Sequence, residues 1–203
     1  MYTDETGRFP VHSQIFDQYI MIAYHCDSIT IIDSPFKSHA NKHILLDYGS
    51  IMQHLKDRNI LGDLQILDNE ASTEYKRIIK YEWVVGYQFA PPHFHGRNAA
   101  ERAILIFKSH FLFILAGIEN TFHKNVWDLV LPQIELTFNL LRQSTPNPNI
   151  LAWEYFQGPF DYKTTPLGPL GCPVMILQNK YNCKSWKFRG KEGWIISVDL
   201  DHY

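Results

Sequence analysis

Residues 91–111 read PPHFHGRNAAERAILIFKSHF. Pro91 and Pro92 cannot extend a strand's hydrogen bonding, so a strand arriving from the amino-terminal side ends there. After Gly96 the composition changes. Ala99, Ala100, Ala103 and Leu105 are strong helix formers, Asn98 stands where an N-cap belongs, and Gly117 is a stop signal. This predicts a long helix over about 98–116. Glu101 falls in its first turn, with Arg97, Asn98, Leu105 and Lys108 on the same side. A carboxylate there is favourable with the helix dipole. One flanked by Arg97 and Lys108 could also face phosphate and metal together.

Toward the amino terminus, residues 84–89 predict a strand that the two prolines close. Ser72 is placed to cap a short helix with Tyr75, Ile78 and Ile79 on one face. Residues 64–67, LQIL, open into Asp68-Asn69-Glu70 and read as a buried strand ending in a polar loop. Over residues 39–60, Ile44, Leu45, Ile51, Met52 and Leu55 recur at helical spacing before Gly62. Residues 18–26, QYIMIAYHC, and 28–36, SITIIDSPF, predict two strands around a tight turn at Asp27-Ser28. A first, very short strand carries Asp4.

Toward the carboxyl terminus, Trp127, Val130, Ile134 and Leu141 keep helical period over residues 124–142. Pro132 is expected to kink this helix or to mark its first turn. Residues 146–171 are rich in Pro and Gly and read as a linker holding one short helix near 150–157. Residues 174–177 and 194–198 predict two short strands around a basic, aromatic loop. The order of elements is that of an α/β domain with a mixed sheet over residues 1–145, followed by the linker and an incomplete small β element over 172–203.

Composition limits the class of function. A chain of 203 residues with 45% hydrophobic and 20% charged residues can bury a core without disulfides. The net charge of −2 excludes a polybasic protein, although charge is segregated. Residues 1–96 carry twelve Asp/Glu against eight Lys/Arg, and residues 97–203 carry nine against eleven. Cys26, Cys172 and Cys183 form no CxxC and point to a reducing compartment. The start is not a signal peptide, and the longest apolar run, 111–118, is too short to span a bilayer. The expectation is a soluble, intracellular protein with no membrane partner.

No phosphate-cradling GxxxxGK[ST], dinucleotide-binding GxGxxG or nucleophile-elbow GxSxG occurs. His39 with His43, and His93 with His95, lack cysteines at ligand spacing and read as exposed or satisfied histidines. Trp127, Phe138 and Trp153 read as core. Asp68, at the carboxyl end of a strand, either points into the open sheet edge where ligands commonly sit or caps the next helix. Lys180, Lys184, Lys187, Arg189 and Lys191 alternate with Tyr181, Trp186 and Phe188. That pattern suits DNA backbone contact with base stacking, and equally a solvated hairpin.

Six segments in order resemble one family. Residues 91–111 resemble the third catalytic block of retroelement integrases: a Pro-Pro turn, a polar spacer, Asn, two small residues and Glu-Arg. Asp4-Glu5-Thr6-Gly7-Arg8-Phe9-Pro10 resembles the first block, and Leu67-Asp68-Asn69-Glu70 the second. Leu131-Pro132-Gln133 through Asn139-Leu140-Leu141-Arg142, then Gly171-Cys172-Pro173-Val174 and Gly193-Trp194-Ile195, resemble the tail of copia-type retrotransposon integrases.

The resemblance implies a ribonuclease-H-like mixed sheet flanked by helices. It implies catalytic carboxylates at Asp4, Asp68 and Glu101, which would hold two Mg²⁺ or Mn²⁺ ions for in-line phosphoryl transfer. Sixty-three residues separate the first pair and thirty-two the second, a second gap a few residues shorter than in the family. The implied reaction is 3′-end processing and strand transfer of element DNA. Arg97, Asn98, Arg102 and Lys108 would face that DNA, with Lys184, Lys187 and Arg189 on a second surface. A homo-oligomer working in a host nucleus is implied, from a chain that looks like a polyprotein fragment with a truncated first strand. Leu105 sits where relatives carry a basic residue, and Trp194-Ile195-Ile196-Ser197 lacks the usual glycine. These departures keep open a catalytically inactive nucleic-acid-binding remnant. A stand-alone nuclease acting on DNA–RNA hybrids fits the long tail less well.

Overall fold

The computed structural model describes residues 1–67, 71–90, 99–179, 181, 186 and 188–199, apart from the side chain of Ala100. Five strands form one sheet in the order β3-β2-β1-β4-β5. β1 (Tyr2–Glu5), β2 (Tyr19–Tyr24) and β3 (Ile31–Phe36) pair antiparallel. β4 (Leu64–Leu67) and β5 (Gly86–Phe89) continue parallel from β1, as strands fed by crossover helices must.

β2 shows why the sheet is covered on both sides. Its run YIMIAY is apolar at successive positions rather than alternating, the pattern of a strand buried on two faces. Ile20 and Ile22 point to one layer, built from α3 (Ala99–Gly117) and α4 (Trp127–Leu140), where Phe107, Phe111, Trp127 and Ile134 pack. Met21 and Ala23 point to the other layer, built from α1 (Asn41–Asp57) and α2 (Thr73–Tyr81), where Tyr48, Met52, Leu55 and Ile79 pack. Trp127, Phe138 and Trp153 are all buried, as the sequence indicates.

α4 is fastened to the edge strand by polar groups as well. The Ile31 N–H donates to Asn139 Oδ1 at 3.0 Å, and Asn139 Nδ2 donates back to the Ile31 carbonyl at 2.8 Å. Glu135 Oε2 accepts the Asp33 N–H at 2.9 Å. Within residues 146–171, α5 (Ala152–Gln157) lies against this assembly: Trp153 packs on Leu136 and Leu140, and Phe156 joins the α1 layer.

Four local readings need correction. The helix expected from residue 39 begins at Asn41, which leaves His39 before it. The helix expected over 124–142 is a 3₁₀ turn, Lys124–Val126, followed by α4. Pro132 stands inside α4, past its first turn, where its missing N–H leaves the Asp128 carbonyl without a helical donor. The strand expected from Val84 starts at Gly86, because Val84 takes a left-handed φ of 57°. The last strand is not residues 194–198. β6 (Pro173–Leu177) pairs with β7 (Gly190–Trp194), and the apolar run begins where β7 ends. The Met175 and Ile176 side chains lie over the glycines of β7, where a Cβ at Gly190 would stand 2.6 Å from Met175 and one at Gly193 would stand 2.5 Å from Ile176.

Candidate active site

β1 is the middle strand of the sheet, and its carboxyl end holds the first candidate carboxylate. Cross-strand partners share a face. Thr3 opposes Ala23, and Asp4 opposes Ile22. Thr3 therefore faces the α1–α2 layer, and Asp4 faces the α3–α4 layer. α3 packs on β1 and β2 through Ala103, Ile104 and Phe107. Glu101 lies in the first turn of α3, half-buried, on the stripe continued by Ile104, Lys108 and Phe111. Asp4 and Glu101 are thus on one face of the sheet, delivered by adjacent elements. The Asp4 carboxylate also accepts the Glu5 N–H through Oδ1 at 2.8 Å.

The other face fixes β1 in place. The Thr3 hydroxyl accepts from Gln65 Nε2 at 2.7 Å and shares a 2.9 Å hydrogen bond with the Tyr75 hydroxyl. Thr3, Gln65 and Tyr75 are buried, so this link crosses from β1 to β4 and α2 without water access. Burial pushes the Tyr75 phenol well up; the Thr3 hydrogen bond opposes this, and the nearby negative charges of Glu5 and Asp4 add to it. Tyr75 stays protonated. Ser72 caps α2 by accepting the Tyr75 N–H at 3.2 Å. A cavity of about 400 Å³ opens at this end of the sheet, bordered by Asp4, Glu5, His39, Leu67, Ser72 and Tyr75. Glu5 and His39 pair through Oε2 and Nδ1, and the His39 ring meets Tyr19 edge-on at 4.1 Å.

Among the residues singled out from sequence, Asp68, Arg97, Asn98, Lys184 and Lys187 lie outside the described residues. Lys108 shares the stripe of Glu101, whereas Arg102 lies exposed on the outward side of α3. Arg189 is exposed just before β7 and its carbonyl accepts the Gln178 N–H at 2.7 Å, far in sequence from the carboxylates. Tyr181, Trp186 and Phe188 are 83%, 99% and 96% exposed, which fits a surface open to DNA and a solvated hairpin alike. The described residues contain no group of three or more His, Cys, Asp or Glu able to hold a metal. Sequence reasoning missed the Thr3–Gln65–Tyr75 link and the Glu5–His39 pair. The alternation of β1 could have flagged Thr3 as inward-facing, but nothing local identifies its partners.

No protein-family profile matches the sequence, and no curated protein matches it. Solved structures do resemble it. A chain in the cryoEM structure of the simian T-cell lymphotropic virus intasome in complex with PP2A regulatory subunit B56 gamma aligns with a TM-score of 0.58 at 15% identity. The alignment covers 95% of this chain and 66% of that one, so this chain spans just under two thirds of its length. The catalytic core domain of BIV integrase aligns with a TM-score of 0.49 at 13% identity, over 76% of this chain and 91% of that one. With the mixed five-stranded sheet and its two helical layers, the fold is ribonuclease-H-like, with a two-stranded sheet after it.

Proposed function

We propose that the chain is the catalytic region of a retroelement integrase, a metal-dependent polynucleotidyl transferase acting on DNA ends. One observation supports this reading: the register of β1 on β2 turns Asp4, near the carboxyl end of the middle strand, toward the helical layer whose α3 carries Glu101 in its first turn. The third carboxylate is Asp68, which follows β4 directly. Asp68 itself lies outside the described residues, and its role rests on the sequence resemblance. Copia-type origin rests on the sequence motifs alone.

Asp4, Asp68 and Glu101 offer hard oxygen donors, which suit Mg²⁺ or Mn²⁺ and need no His or Cys. When bound, such ions supply charge neutralisation for in-line phosphoryl transfer. The chain's own part is to hold the donors still. The buried Thr3–Gln65–Tyr75 link fixes β1 against β4 and α2, and the neutral Tyr75 adds no charge beside Asp4 and Glu5. The exposed rings Tyr181, Trp186 and Phe188, with Arg189 and Lys191, supply a separate DNA surface.

The test is strand transfer of paired oligonucleotides with Mg²⁺ or Mn²⁺. The wild-type chain joins a recessed 3′ end to target DNA, and the nearly isosteric Asp68→Asn abolishes joining with the melting temperature unchanged. A second reading, an inactive nucleic-acid-binding remnant, draws on one observation: Leu105 and Leu112 leave the outer face of α3 apolar where a DNA-facing helix would carry cations. DNA binding without joining in either metal selects that reading.

A further inference from the structure

A second, larger cavity of about 670 Å³ opens between the turn after β1 and the carboxyl-terminal half of α3. Its place follows from the register of β1. Asp4 opposes Ile22, and the next pair on the same face is Thr6 with Ile20, where the Thr6 N–H donates to the Ile20 carbonyl at 2.8 Å. Thr6 and Ile20 both line the cavity, so its near wall begins roughly 7 Å along the strand from Asp4. Lys108, on the stripe of Glu101, lines it as well, roughly 10 Å along α3 from that carboxylate. The walls combine two chemistries. Phe107, Phe111 and Phe122 are buried and form an aromatic floor, and the half-buried Phe9 keeps surface open in the cavity. The Phe9 ring is braced: the rings of Trp127 and Phe111 stand 4.9 and 5.5 Å from it, centre to centre, and Trp127 Nε1 donates to the Val11 carbonyl at 2.9 Å, tying down the turn. Three cations, Arg8, Lys108 and Lys124, line the cavity against one acid, Glu119. Among the described residues no ion pair holds any of the three.

We propose that this cavity takes one unpaired nucleotide of the DNA end, with its base on the Phe9 ring and the adjoining phosphates against Arg8, Lys108 and Lys124. An aromatic platform beneath an excess of cations suits a flat base carried on an anionic backbone. The three cations come from three elements, the turn after β1, α3 and the 3₁₀ turn before α4. That spread fits a phosphate chain crossing the cavity better than a single anionic headgroup. The inference rests on the proposed function, which puts the reacting phosphate at Asp4 and Glu101. A neighbouring nucleotide then reaches the cavity along the same face of the sheet. A base inside a duplex has both faces stacked, so only an unpaired one can offer a face to Phe9. Stacking tolerates any base. The cavity therefore selects unpaired over paired nucleotides, not one sequence over another.

The experiment is fluorescence anisotropy of the full chain without divalent metal, so that binding is read and joining is not. The probes are a blunt duplex and the same duplex with a short single-stranded tail. Wild type is expected to bind the tailed duplex about 10-fold more tightly. Ala116 is exposed and lines the cavity, so Ala116→Trp puts a ring in its mouth without touching the core. That variant loses the preference and keeps the blunt-duplex affinity within about 2-fold of wild type. Phe9→Leu keeps an apolar side chain but removes the ring and cuts the preference to about 2-fold, whereas Phe9→Tyr retains it; circular dichroism checks that both are folded. Blunt and tailed duplexes bound equally by wild type, or a preference that survives both Ala116→Trp and Phe9→Leu, would overturn the cavity's role and leave the proposed function standing. A chain that binds neither duplex would overturn both.

Discussion

Glu135 of α4 and Asp33 of β3 form a carboxyl pair whose protonation should be visible in folding stability. Burial pushes Glu135 up to about 7 from an ordinary value of 4.5, against the opposing effects of the Asp33 N–H and the charge of Arg58. Asp33 is pushed well up too, first by burial and then by the charge of Glu135. Both residues keep some exposed surface, but Asp33 Oδ2 is sealed and has no hydrogen-bond partner. A carboxyl with a raised folded pKa holds a proton that the unfolded chain releases. The folded protein therefore loses stability as pH rises from about 4.5 to about 7, and below that window the effect vanishes. Glu135→Gln removes the titration and keeps an oxygen to accept the Asp33 N–H. Moving the carboxyl from 4.5 to about 7 corresponds to about 3 kcal/mol. Urea unfolding should give variant and wild type within about 1 kcal/mol at pH 4.5, with the variant ahead by about 3 kcal/mol at pH 8. In a thermal melt that is a gain of roughly 6–12 °C at pH 8. A stability difference that stays constant with pH, or one that turns against the variant as pH rises, would refute the reasoning.

Asn139→Ala leaves the Ile31 N–H and carbonyl without partners and should cost about 3 kcal/mol in denaturant unfolding. If residues 180–191 meet phosphates, Lys184→Ala, Lys187→Ala and Arg189→Ala together should flatten the slope of log affinity against log salt by about 0.9 per lost contact. An unchanged slope removes that segment from the DNA surface. Leu105→Arg should tighten DNA binding in fluorescence anisotropy, most visibly at low salt. Equal DNA affinity in both forms would show that the α3 face does not meet DNA.

The main elements were legible in the sequence because local signals agreed. The alanine-rich start of α3, the Ser72 cap of α2 and the unbroken apolar run of β2 each name their element and its surroundings. β7 was not legible. Gly190-Lys191-Glu192-Gly193 has poor strand propensity, while the Ile195-Ile196 run reads as a strand. Pairing decided otherwise: Gly190 to Trp194 lie opposite Leu177 to Pro173, so the partner strand and not local propensity sets the span of β7. Val84 escaped for a similar reason, because a left-handed valine is not a choice that pattern favours. At the candidate site, Asp4 and Glu101 could be named from motif resemblance, but their shared face follows only from the register of β1 on β2. The supporting contacts are long-range: 72 residues separate Thr3 from Tyr75, and 102 separate Asp33 from Glu135. Nothing in either local sequence announces its distant partner.

We propose that three carboxylates, from β1, the residue after β4 and the first turn of α3, share metal ions. A crystal of the full chain soaked in Mn²⁺, with anomalous scattering recorded, tests it most directly. Two anomalous peaks are expected beside Asp4, Asp68 and Glu101, both lost in Asp68→Asn crystals. Peaks elsewhere on the chain, or none at these carboxylates at saturating Mn²⁺, would contradict it.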